Sequence, residues 1–95
     1  MKLPGIDATH LATLDALLRE KSVARAAKRL GVGHPVVSRS LARLREHFKD
    51  ELLVPKGRTY VLTVRAEKLA SVVANATSSL ADVFDEQLEL ALIGA

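Results

Sequence analysis

The sequence predicts a mainly α fold: three short helices, a small β-hairpin and one long closing helix. Three observations predict it. Aromatics make up 3% of a 95-residue chain that is 48% apolar, so the core falls to Leu, Val and Ala, and Leu and Ala are strong helix formers. Apolar residues recur three and four apart along residues 7–48 and again over 69–90. Away from the termini, glycine and proline cluster in only two places, GVGHP at 31–35 and PKG at 55–57.

The first helix spans 7–20, with Leu11, Leu14, Leu17 and Leu18 on one face and Asp7 as its N-cap. Ser22 caps a second helix, VARAAKRL, whose inner face is Ala26, Ala27 and Leu30. Gly31 ends that helix as a residue that tolerates positive φ, and Val32 is positioned to fold back on its end. A third helix begins near Gly33–Pro35, since proline suits a first turn whose amides lack partners. Its buried stripe is Val37, Leu41, Leu44 and Phe48, and Pro35, Ser38, Arg39, Ala42, Arg43 and Glu46 lie opposite. The runs LLV and TYVL flank a PKGR turn and read as a hairpin. Thr63 then opens a helix to about Leu92. Leu69, Val73, Ala76, Leu80, Val83, Gln87 and Leu90 form a heptad-like seam along it.

Charge is divided along the chain. The net charge is +3, yet residues 19–49 carry nine Lys/Arg against two acids, and residues 66–95 carry one Lys against five acids. A compact basic block is the footprint of a polyanion, although a solvated helix surface has the same composition. The break at GVGHP separates these readings. A helix, a tight turn and a second helix with a polar N-terminal face inside a basic block make a helix-turn-helix. The first of that pair holds the second at a fixed angle for entry into a major groove about 12 Å wide. N-terminal residues of the second helix then meet base edges, and flanking cations meet phosphates. The hairpin adds a wing, with Lys56 and Arg58 at its tip, set to touch backbone or minor groove.

The stretches LATLDALLREKSVARAAKRLGVGHPVVSRSLARLR, LLVPKGRTYVLT and VRAEKLA resemble the N-terminal DNA-binding region of LysR-type transcriptional regulators, over almost all of the 95 residues. The resemblance implies a winged helix-turn-helix over residues 1–62. It also implies a linker helix over 63–95 that mediates dimerisation, with the two linker helices antiparallel. A larger effector-binding domain follows in most members and is absent from this chain, so a small-molecule effector is expected only if the native protein continues. The implied function is sequence-specific binding of double-stranded DNA at an interrupted inverted repeat. Four residues depart from the family pattern: Gly33-His34 replaces Ser-Gln, Ala24 replaces a small hydroxyl residue, and Pro55 stands where arginine is usual.

The base-reading candidates are His34, Pro35, Ser38 and Arg39. Arg39 suits a bidentate contact to guanine and Ser38 a shorter bond. His34 either faces the groove or bonds its own turn. Phosphate candidates are Arg25, Lys28, Arg43, Arg45, Lys56 and Arg58, with Arg29 in the same block. The seam packs on its own domain, on a second chain, or on both. A 30-residue helix is about 45 Å long, more than the domain covers, so the distal half from Leu80 should meet another subunit. The dimerisation candidates are Leu69, Val73, Ala76, Leu80, Val83, Phe84 and Leu88. Gln87 either sets the register of that seam or faces water.

Enzymatic activity is not expected, because Ser, His and Asp fall on separate helices with no nucleophile elbow or phosphate loop. No cofactor and no metal are expected, since the chain has no cysteine and His10, His34 and His47 are scattered. The absence of cysteine fits a reducing cytoplasm, at the bacterial nucleoid, and no run is long enough to span a bilayer. MKLPGID lacks the apolar core of a signal peptide. Two other readings share the fold. One is a module whose basic face takes an acidic protein. The other is a short form that dimerises with longer regulators and modulates them.

Overall fold

The structure is a computed structural model. It describes the backbone over residues 7–92 and, beyond Val83, the side chain of Asp85 alone. Helix α1 (Ala8–Glu20) starts where Asp7 accepts the His10 amide at 3.0 Å. It ends at Lys21, whose left-handed backbone lets its amide reach the Leu17 carbonyl. Helix α2 (Val23–Leu30) is capped by Ser22, whose hydroxyl accepts the Arg25 amide at 3.1 Å. Gly31, at φ +70°, stops it. The Val32 amide closes back on the Ala27 carbonyl at 3.0 Å, and the residue is 42% exposed.

Helix α3 (His34–Phe48) follows within three residues, with Pro35 in its first turn. Its N-cap is Gly33, so no side chain caps it. Val37, Leu41 and Leu44 are buried and Phe48 packs half-buried at the edge. They meet Leu14, Leu17 and Leu18 of α1 and Ala26 and Ala27 of α2 in one core. Small alanines on α2 let that short helix sit close against its neighbours.

Strands β1 (Leu53–Lys56) and β2 (Thr59–Leu62) form an antiparallel hairpin. The pairing runs from Leu53 with Leu62 to Lys56 with Thr59. The turn is therefore the two residues Gly57 and Arg58, narrower than the PKGR turn read from the sequence, and Gly57 supplies its φ of +64°. Pro55 belongs to β1. The pair closing a two-residue turn exchanges both ladder bonds and the next pair exchanges none, so proline's missing N–H costs the ladder nothing opposite Tyr60.

Helix α4 (Val64–Leu92) starts at Thr63, whose hydroxyl accepts the Ala66 amide at 3.1 Å. Ala66 and Val73 are buried in the common core, with Leu69 and Ala70 packed half-buried against it. Of the alternatives the seam leaves open, the proximal part packs on its own domain: Val73 is only 4% exposed and Leu69 is half-buried against the core. Farther along, Leu80 is 41% and Val83 57% exposed. The side chains of Phe84, Gln87 and Leu88 lie outside the described residues.

Candidate nucleic-acid interface

The face of α3 opposite its buried stripe is open. Pro35, Arg39, Ala42 and Arg43 are exposed along it, with Val36 at 42% exposure beside Pro35. The geometry follows from the 3.6-residue period, which puts Pro35, Arg39 and Glu46 on the side facing away from Leu41. A shallow groove of about 370 Å³ runs between α1 and this face, lined by His10, Val36, Arg39, Ser40 and Arg43. His10 is held by Asp7, ring Nδ1 to carboxylate oxygen at 2.8 Å. Sequence reasoning did not bring His10 here, because nothing local signals which face of α1 meets α3.

His34 and Ser38 lie on the other flank of α3, joined by a 3.3 Å contact between the Ser38 hydroxyl and His34 Nδ1. Ser38 is half-buried and His34 exposed. Both line a second groove of about 350 Å³ with Ser22, Val23 and Ala24 at the start of α2, Leu41 and Arg45 of α3, and Tyr60 of the hairpin. Tyr60 of the hairpin thus shares one groove with His34, Ser38, Leu41 and Arg45 along α3, and the Leu53 carbonyl bonds Arg45 toward the C-terminal end of that helix. Lys56 and Arg58 are exposed at its tip.

The cations of the basic segment divide by what they hold. Lys28 is exposed on α2. Arg25 Nη2 donates to the Glu20 carbonyl at 2.7 Å, and its Nε lies 3.6 Å from the Glu20 carboxylate. Arg29 Nη1 pairs with the same carboxylate at 2.9 Å. Glu20 therefore tethers two arginines at the α1–α2 corner, a pairing invisible in the charge count. Arg45 turns inward, with Nε donating to the Glu51 carbonyl at 2.8 Å and Nη2 to the Leu53 carbonyl at 3.0 Å. Asp50 was not singled out from the sequence. Its Oδ2 accepts the Leu52 amide at 2.8 Å and the Thr63 hydroxyl at 2.6 Å. The Thr63 bond, then the Leu52 amide, hold its carboxyl below the usual carboxylate range; desolvation partly opposes them, and Arg65 adds the smallest lowering effect.

Among the described residues, no three His, Asp or Glu side chains gather as a metal-binding group. No helix among them is long and apolar enough to cross a membrane.

A helix-turn-helix with a wing standing beside its second helix, and cations on both, defines a winged helix-turn-helix of the DNA-binding class. Comparison with known proteins gives the family. Residues 8–67 match the model of the bacterial regulatory helix-turn-helix protein, lysR family. The chain is 43% identical over 76 residues to nodulation protein D 2 of Bradyrhizobium diazoefficiens, covering 80% of this chain and 23% of that protein. It is 45% identical over 76 residues to nodulation protein D 1 of Mesorhizobium japonicum, covering 80% and 24%. Among solved structures, the probable transcriptional regulator PA0477 from Pseudomonas aeruginosa superposes with a TM-score of 0.81 at 36% identity, over 86% of this chain and 28% of that one. The DNA-binding domain of BenM, solved in complex with catB site 1 DNA, also gives 0.81, over 90% and 97% of the two chains, and at 22% identity it shares the fold. The chain belongs to the lysR family of bacterial regulatory helix-turn-helix proteins, and it spans about a quarter of the length of the curated relatives it matches.

Proposed function

We propose that this chain binds double-stranded DNA sequence-specifically as the DNA-binding part of a LysR-type transcription regulator, acting at the chromosome in the cytoplasm. The observation that carries the reading is the joint exposure of the α3 face and the wing tip, with Tyr60 of the hairpin lining one groove with His34 and Ser38. Set in a major groove, α3 presents Arg39 to a guanine edge and Ser38 and His34 along one flank. Pro35 and Val36 offer apolar surface suited to a thymine methyl. Lys28, Arg43, Lys56 and Arg58 face the phosphates, with Arg25 joining them if it leaves Glu20. The wing then lies over the backbone or minor groove. A dimer built on the distal part of α4 matches two such units to an interrupted inverted repeat.

The test is to titrate Arg39→Ala and Arg58→Ala against a duplex selected by the wild-type chain from a randomised pool, and against a scrambled duplex. Arg39→Ala should cost about 1–3 kcal/mol on the selected duplex and little on the scrambled one. Arg58→Ala should weaken both by similar factors and lower the slope of log K against log salt by about one unit. Equal losses on both duplexes for Arg39→Ala, with Arg58→Ala weakening only the selected one, would make the wing the reader and overturn the assignment of α3. A flat salt response by the wild-type chain would favour an acidic protein partner instead.

A further inference from the structure

Arg45 is a cation of α3 whose donors are turned onto the chain's own backbone. Its Nε–Nη2 edge holds two carbonyls, Glu51 and Leu53, on either side of Leu52. Leu52 is fully buried and sits at φ +65°, a region that leucine avoids. The Leu53 amide bonds the Glu51 carbonyl at 2.7 Å, so the chain reverses in three residues. Asp50 and Thr63 hold the other side of this elbow, through the Leu52 amide and carbonyl. Leu53 is the first residue of β1, so the elbow sets where the wing begins.

We infer that Arg45 is a positioning residue: it fixes the wing against the recognition helix, so that Lys56 and Arg58 reach the duplex while α3 is seated. The inference rests on the DNA-binding reading above. A phosphate taking the same guanidinium edge would release both carbonyls at a strained and half-buried corner. The fork matters more than the charge, because two carbonyls in register need two fixed donors, which a lysine ammonium on a flexible stem does not provide.

The experiment reads the slope of log K against log salt for the 95-residue chain on the selected duplex. Arg45→Met and Arg45→Lys are each made in the wild-type background and in a Lys56→Ala/Arg58→Ala background. Removing Lys56 and Arg58 should lower the slope by roughly 1–2 units. Arg45→Met should lower it by a similar amount in the wild-type background and leave it unchanged where the wing cations are already gone. Arg45→Lys should behave like Arg45→Met. A drop of about 0.9 in both backgrounds, or full retention by Arg45→Lys, would show a direct phosphate contact and overturn the inference. So would a wing double variant that leaves the slope unchanged, or loss of the fold in both Arg45 variants, since Arg45 would then support the whole domain. A wild-type slope near zero instead removes the DNA reading itself, before any substitution is made.

Discussion

At Asp50 one carboxylate oxygen joins the end of α3, the elbow before the wing and the cap of α4. Both partners are donors, so the ionised form accepts from both more strongly than the protonated form does. The folded state therefore binds a proton at Asp50 more weakly than the unfolded chain does, whose value lies near 3.8. The stability contributed is fully present above that value and is lost as pH falls through the lower folded value. Thermal melts between about pH 2 and pH 6 check this. The wild-type midpoint should fall faster in the acid limb than that of Asp50→Asn, and the two should differ by a constant amount above about pH 5. Curves that stay parallel down to pH 2 would separate Asp50 from the acid transition. Residue-scale detail also separates the arginines: Arg25, Arg29 and Arg45 look alike in sequence, but each holds a carbonyl or carboxylate in the fold.

Among the elements, α3 combines a strong stop before it with a weak start. Gly33 has an ordinary φ of −73°, and no side chain caps the first turn. A Cβ added there would meet only Pro35 Cδ at 3.6 Å, an ordinary contact. Gly33→Ser should therefore place a hydroxyl over the free amides and stabilise the domain by roughly 0.3 kcal/mol, raising Tm by about 1–2 °C. Calorimetry checks this, and a lower Tm would mean that the turn, not the cap, sets the local geometry. The contrast with Gly31 and Gly57 is physical. Both have positive φ, so a side chain at either is strained even though space is available.

Over the whole molecule, α4 packs on its own domain along the proximal turns and leaves apolar residues exposed farther along. Twenty-nine residues extend about 44 Å, and among the described residues the domain buries α4 in its proximal turns, at Ala66 and Val73. Leu80 and Val83 are left in solvent, where isolated apolar side chains gain little and a shared seam gains more. Two substitutions should part company. Val73→Ala should lower stability by about 1–3 kcal/mol without weakening self-association beyond that loss. Leu80→Glu with Val83→Glu should leave the melting of the domain intact and convert a dimer to a monomer in sedimentation at micromolar concentration. A dimer that survives Leu80→Glu and Val83→Glu would move the interface elsewhere.

Sequence alone determined the elements of this protein and their order. Local rules suffice there: Asp7, Ser22 and Thr63 cap helices by bonding amides within three residues, Gly31 ends one by its φ, and the Val37–Leu41–Leu44 stripe states which face of α3 is buried. The exposed face, with Pro35 and Arg39, follows as its complement, and with it the family resemblance. The tertiary structure decided what each seam and each cation meets. Val73 and Leu80 have the same heptad spacing, and only the length of the domain beneath α4 separates core from free surface. Arg45 and Arg58 carry the same charge, but one is claimed by carbonyls of an elbow whose left-handed Leu52 no propensity announces. The bonds from Asp50 to Thr63 and from Arg29 to Glu20 span thirteen and nine residues. Such partners are chosen by the packing of helices rather than by the chain between them.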